Sequence, residues 1–204
     1  MSILFYNTTD PYGEFSNFYG IRENKNFKLM LDGQSWKSTE HYYQSYKFRG
    51  SQASTDSIEY ADLIAETDTP TKTKALAKQK KLEGTKDKWK LQPKNPIKLN
   101  ELIEKYQKNG VIIRPDWEEI KDTIMKNVIT AKFTQNPKLL KLLRGTKEQQ
   151  IAEHTSRDKY WGDGGDGSGL NKLGKMLMSI RDELALTTEL TKFPSKVKWW
   201  SPPS

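Results

Sequence analysis

Tyr160-Trp161-Gly162-Asp163-Gly164-Gly165-Asp166-Gly167-Ser168-Gly169-Leu170-Asn171 sets five glycines and two aspartates between an aromatic pair and a leucine-periodic segment. Leu170, Leu173, Leu177, Ile180 and Leu184 recur at helical spacing, so the stretch reads as a loop feeding a helix that starts at Gly169 or Asn171. Glycine reaches backbone angles closed to other residues and lets a ligand approach the main chain. A flexible spacer rarely carries Trp and two Asp, which makes this a binding loop, with a plain connecting turn as the alternative. Backbone amides at the helix start are expected to face outward and, with Lys172 and Lys175, to offer a site for an anion such as phosphate. Walker A is excluded because no Gly-Lys-Ser/Thr follows. An EF-hand is excluded because Gly165 takes the third ligand position and no Glu closes the loop.

Outward from that loop, Ile151 to Thr155 is predicted as a strand leading into it, and the helix after it is predicted to end near Leu186. Asn136-Pro137 opens a short helix that Gly145 ends. Asp116 with Glu119 three residues on has the pattern of a capping box, before a helix with Ile120, Ile124, Val128 and Ala131 on one face. Ile3 to Tyr6 and Phe27 to Leu31 read as strands, residues 57–65 as a helix, and residues 70–81 and 97–108 as two lysine-rich helices.

With 204 residues, 34% of them hydrophobic, the chain is expected to form one domain over residues 1–190 with a tail at 191–204. No apolar run approaches membrane-helix length and no signal-peptide pattern opens the chain, so an intracellular, cytoplasmic location is the default expectation, with no membrane partner. The absence of cysteine excludes disulfides and thiolate chemistry, and His41 and His154 are the only histidines. No cofactor is demanded, and no spacing specifies a metal site. The net charge of +8 is concentrated: residues 71–110 hold twelve Lys against four acidic residues. That segment reads as an insertion that follows a nucleic-acid backbone or steers an anionic substrate, or else as a solvated helical face.

The block Trp36-Lys37-Ser38-Thr39-Glu40-His41-Tyr42-Tyr43-Gln44-Ser45-Tyr46-Lys47-Phe48 is predicted as a helix capped by Ser38 or Thr39 and stopped by Gly50. Glu40, Gln44 and Lys47 share one face, offering a carboxylate, an amide and a cation in one row, or simply an exposed charged face. Neither histidine has an evident serine partner, so no triad is expected. Trp36 and Trp161 are each read as a base-stacking residue or as core.

Phe15-Ser16-Asn17-Phe18, the block from Trp36 to Phe48, Trp117-Glu118 with Met125 and Lys132-Phe133, and Glu153-His154-Thr155 leading into Tyr160–Asn171 and Leu173-Gly174 together resemble the NADAR family, of the YbiA-like kind. The resemblance spans about residues 3 to 186. It implies a compact, mainly helical α+β domain and hydrolysis of an N-glycosidic bond. Two activities come with it: removal of ADP-ribose from modified guanine in nucleic acid, and cleavage of phosphorylated early riboflavin-pathway intermediates to ribose 5-phosphate. The first is preferred because the lysine-rich segment suits a nucleic-acid or nucleotide substrate. A non-catalytic ADP-ribose reader is the third reading.

On the family pattern Glu40 and Asp163 are the expected catalytic carboxylates, Glu40 handling water or the sugar cation and Asp163 as its partner. The expected substrate-binding set is Asn17, Phe18, Trp36, His41, Gln44, Lys47, Trp161, Gly162, Gly164, Gly165, Asp166, Gly167 and Asn171. The chain departs from the pattern where bacterial relatives carry a Gly-Arg pair: here Ala77-Lys78-Gln79-Lys80 stands, and residues 83–110 are inserted. Lys78 or Lys80 is then the candidate phosphate contact, without arginine's bidentate geometry.

Overall fold

The computed structural model describes residues 2–190. Their fold is α+β and mainly helical: β1 (Ser2–Phe5), β2 (Met30–Leu31), β3 (Gln34–Ser35), α1 (Thr39–Tyr46), α2 (Thr55–Glu66), α3 (Pro70–Ala77), α4 (Leu99–Lys108), α5 (Trp117–Thr134), α6 (Pro137–Gly145), β4 (Gln150–Glu153) and α7 (Lys172–Leu190). The expected tail at 191–204 lies outside the described residues.

Helix starts follow local chemistry. Ser38, Ser54 and Thr69 accept the first-turn amides of His41, Ser57 and Lys72, and Pro70 and Pro137 sit in the first turn, where a missing N–H costs nothing. The Asp116 capping box does not form. Asp116 instead takes Arg114 Nε and Nη2 at 2.5 and 2.7 Å, a bidentate pair that outcompetes a neutral amide. The predicted strand at Phe27–Leu31 shortens to Met30–Leu31, paired with Gln34–Ser35 across Asp32-Gly33, both at positive φ. Before it, Asn136 replaces a strand partner: its side chain accepts Lys28 N–H and donates to Lys28 C=O.

β1 and β4 pair in parallel, Ile3 against Ile151 and Phe5 against Glu153. Alternation therefore puts the Glu153 side chain on the same face as buried Ile151. That face joins the main core, where Ile3, Phe5 and Phe15 meet Met125, Val128 and Ile129 of α5 and Leu173, Leu177 and Ile180 of α7.

A second core forms between α2 and the lysine-rich segment. Phe48, Tyr60, Ala61 and Ile64 pack on Leu76, Leu91, Leu99, Leu102, Ile103 and Tyr106. Residues 71–110 are thus built into the body by an apolar face, each large side chain there contributing about 1.5–3 kcal/mol of burial, while most of their lysines stay at the surface. No helix among the described residues is long and apolar enough to cross a membrane.

Candidate active site

A cavity of about 960 Å³ opens where the end of β4, the loop after it, the Ser16–Phe18 turn and α3 converge. Seven cations line it, Arg22, Lys74, Lys78, Lys80, Lys81, Lys86 and Arg157, against four acids, Glu23, Glu83, Glu153 and Asp158. Five of the seven cations come from the lysine-rich segment, because α3 turns that edge toward the cavity while burying Leu76 and Ala77 behind it. Trp89 adds an aromatic face on the same side.

Glu40 lies behind this lining, 4% exposed. α1 fixes it: Gln44 Nε2, one turn on, donates to its Oε1 at 2.8 Å. Burial raises the Glu40 pKa, opposed by Lys74, by the Gln44 bond and by Lys47. The predicted face of Glu40, Gln44 and Lys47 therefore exists as an interacting row turned inward. Lys47, its pKa lowered by burial, lies over the rings of Tyr43 and Trp117. Trp161 packs edge-on against Tyr43 at 5.6 Å, which makes a half-buried aromatic wall beside Glu40.

The glycine loop departs from the expected outward-facing anion cradle. The amides of Asn171, Lys172 and Leu173 donate to the carbonyls of Gly162, Tyr160 and Trp161, so the start of α7 is capped by its own loop. Gly169 is required because a Cβ there would lie 2.5 Å from the Asp163 carbonyl carbon, and Gly164, Gly165 and Gly167 hold positive φ. The glycines let the chain pack on itself. Lys172 is taken by Asp122 at 2.7 Å, and Asp166 is exposed and accepts Ser168 N–H.

Asp163 is the clamp of that loop. Its Oδ1 accepts Thr155 N–H at 3.2 Å and Gly165 N–H at 2.8 Å, and its Oδ2 sits 2.7 Å from His154 Nδ1. Burial works against its charge, but these partners outweigh burial and hold the pKa low. Asn171 ties the other edge of β4, accepting Glu153 N–H and donating to Ile151 C=O. It does for β4 what Asn136 does for Lys28.

Of the expected binding residues, Phe18 lines the cavity. Asn17 is buried beside it, its side-chain amide donating to Met125 Sδ, while its backbone carbonyl accepts Glu40 N–H. Trp36 belongs to the core, edge-on to Tyr42 with its indole N–H on Leu31 C=O. His41 is structural as well: its ring bridges Ser38 Oγ and Thr67 C=O, and burial, helped by Lys37, lowers its pKa to about 4. Gly162 and Gly164 are buried in the loop turn. Among the described residues no group of three or more Asp, Glu or His is arranged to hold a metal ion.

The NADAR domain family matches residues 4–185. The chain belongs to that family. N-glycosidase YbiA of Escherichia coli (strain K12) is 31% identical over 184 residues, covering 90% of this chain and 89% of the relative. The NMR structure of E. coli YbiA superimposes with a TM-score of 0.66 at 29% identity, over 96% of this chain and 94% of that one. Riboflavin biosynthesis protein VVA0006 of Vibrio vulnificus (strain YJ016) is 29% identical over 182 residues, 89% of this chain but 38% of that longer protein.

Within this NADAR domain the sequence reading missed Glu153, Asp158 and Lys74. Glu153 stood in the quoted Glu-His-Thr block, and its strand position was the available signal: it shares the inward face of Ile151. Lys74 and Asp158 carried no signal, because only the packing of α3 and the loop brings them together.

Proposed function

We propose that this hydrolase of N-glycosyl bonds removes ADP-ribose from ADP-ribosylated guanine, in nucleic acid or as a nucleotide. The observation that supports the reading is the cavity: about 960 Å³, with cations from α3 and the segment after it on one side and Glu153 and Asp158 on the other. A diphosphate needs several cations spread over its length, and the lysines along Lys74, Lys78, Lys80, Lys81 and Lys86 supply them. Trp89 offers a stacking face for a base at that end.

Cleavage of a ribosyl C–N bond develops positive charge on the sugar. Buried negative charge stabilises that state more than it would in water. Glu40 supplies it in its carboxylate form: burial raises its pKa, and Lys74, the Gln44 amide and Lys47 oppose that rise. Asp163, with its oxygens bound to His154 and two amides, holds the loop that positions the aromatic wall.

A second reading is cleavage of phosphorylated early riboflavin-pathway intermediates to ribose 5-phosphate. The name of the Vibrio relative favours it. One monophosphate needs only part of the cationic wall, so the readings separate on the lysines. The test incubates the protein with a guanine-ADP-ribosylated oligonucleotide and, separately, with the phosphorylated riboflavin intermediate, following the released sugar by mass spectrometry. ADP-ribose release that weakens steeply with salt supports the first reading. Ribose 5-phosphate alone supports the second, and binding without release is the outcome of a reader. Glu40→Gln is expected to keep binding and lose about 100-fold or more in turnover; full activity in that variant removes Glu40 from the chemistry.

A further inference from the structure

Glu153 and Asp158 line the acidic end of the cavity, and Glu40 and Asp163, outside that lining, act electrostatically on Glu153. Three of the four are tied to hydrogen-bond donors. Glu40 accepts from Gln44. Asp158 Oδ1 accepts the amides of Tyr160 and Trp161 at 2.9 and 2.8 Å. Asp163 takes two amides and His154. Glu153 differs in kind: its backbone is fixed on both edges, by Phe5 opposite and by Asn171, yet its carboxyl accepts no hydrogen bond from the described residues and lines the cavity. Three neighbouring carboxyls, Asp158, Glu40 and Asp163, act on it with the same sign, and Lys74 of α3 opposes them. Arg157 lines the cavity nearby, and His154 is turned to Asp163. When like charges crowd one site, the group with the fewest donors keeps the proton.

We propose that Glu153 is the proton donor of the reaction, giving its proton to the departing base while Glu40 receives the proton of the attacking water. The proposal rests on the hydrolase reading above. The C1′–N bond breaks with its electron pair passing to the base, which takes the Glu153 proton. Water adds its oxygen to C1′ and yields one proton to Glu40 in its carboxylate form, and return of that proton to Glu153 through solvent resets the pair. Burial, followed by Asp158 and Glu40, raises the Glu153 pKa to about 7, so the acid form persists into the neutral range.

Two measurements decide it. Carboxyl ¹³C NMR on the unliganded protein is expected to show Glu153 ionising near neutrality, and at lower pH in Glu40→Gln. Turnover of the wild type is expected to fall above about pH 7, whereas Glu153→Gln loses about 100-fold or more, shows no alkaline fall, and binds the product sugar phosphate within about threefold of wild type. Glu153→Asp, which keeps a proton to give at shorter reach, is expected to restore part of the rate together with the alkaline fall. Ionisation of Glu153 in the ordinary carboxylate range, or Glu153→Gln turning over within about threefold of wild type, overturns the donor assignment alone. A wild type that releases no sugar from either substrate overturns the hydrolase reading, and the donor assignment falls with it.

Discussion

Glu153 and Asp163 belong to one strand-loop unit and act under opposite conditions. Asp163 spends both oxygens on the loop and is held ionised. Glu153 is anchored through its backbone, and its carboxyl is left to the cavity and to the repulsion of its neighbours. A carboxylate that organises a loop cannot also exchange protons freely without loosening it. The division of labour between the two residues is therefore a physical consequence of who owns the local N–H donors.

The largest expected effect breaks that comparison in two directions. Asp163→Ala should lower folding stability by about 3 kcal/mol, since it leaves the Thr155 and Gly165 amides without their charged acceptor. Glu153→Gln should leave the fold intact and remove turnover. Urea denaturation at pH 7 beside a turnover assay checks both, and equal loss of stability in the two variants would erase the distinction.

The next effect is in pH. Glu153 rises from an ordinary 4.5 to about 7 in the fold, so the folded chain binds more protons than the unfolded one between those values. Stability from this group is full below pH 4.5 and is lost as pH rises to about 7. Glu153→Gln removes the slope and should be more stable than wild type above pH 7, on the order of 3 kcal/mol, converging with it in acid. Asp163 has the reverse sign: its contribution is present above the ordinary carboxylate pKa and is lost as pH falls through its depressed folded value. Denaturation midpoints across pH for the two variants should therefore diverge at opposite ends of the scale.

Much of this contrast was written in local sequence, and its decisive part was not. The α1 face of Glu40, Gln44 and Lys47, the helix opened by Asn136-Pro137 and the strand before the glycine loop follow from spacing and caps, which are local quantities. The family pattern pointed to Glu40 and Asp163 without telling their roles apart. Those roles depend on which amides reach which oxygen, and such contacts are set by the turn of the loop back onto β4. The glycine stretch looked like a ligand cradle for the same reason: only the closed turn shows the amides at the start of α7 already taken. Trp36 and His41 were drawn toward the site by their neighbours in sequence, yet Trp36, between β3 and α1, and His41, on the inner face of α1, both pack into the interior, away from the cavity lining.

A third expectation sharpens the cavity's other wall. Lys78, Lys80 and Lys81 are exposed at its edge and take no part in the second core, so replacing all three with Gln should leave stability unchanged. For a diphosphate-bearing substrate the triple variant should raise KM about tenfold and flatten its dependence on salt. A monophosphate substrate, satisfied by fewer cations, should lose less, so the ratio of the two effects reports which substrate the wall serves.

The smallest expected effect lies at Asn171, where the two carboxylates are joined mechanically. Its amide accepts Glu153 N–H at 3.2 Å and donates to Ile151 C=O at 2.9 Å, while its own N–H donates to Gly162 C=O within the turn that Asp163 clamps. Asn171→Ala keeps the backbone bond and loses the other two, which costs about 1 kcal/mol. With that edge of β4 free, the Glu153 side chain loses its fixed direction, and turnover should fall severalfold without a change in KM, since Asn171 itself does not line the cavity. If the alkaline fall of the pH profile stays in place while kcat drops, Asn171 positions Glu153; if the profile itself moves, the amide also sets the electrostatics of the strand end, and the separation of clamp from proton carrier is narrower than the hydrogen bonds suggest.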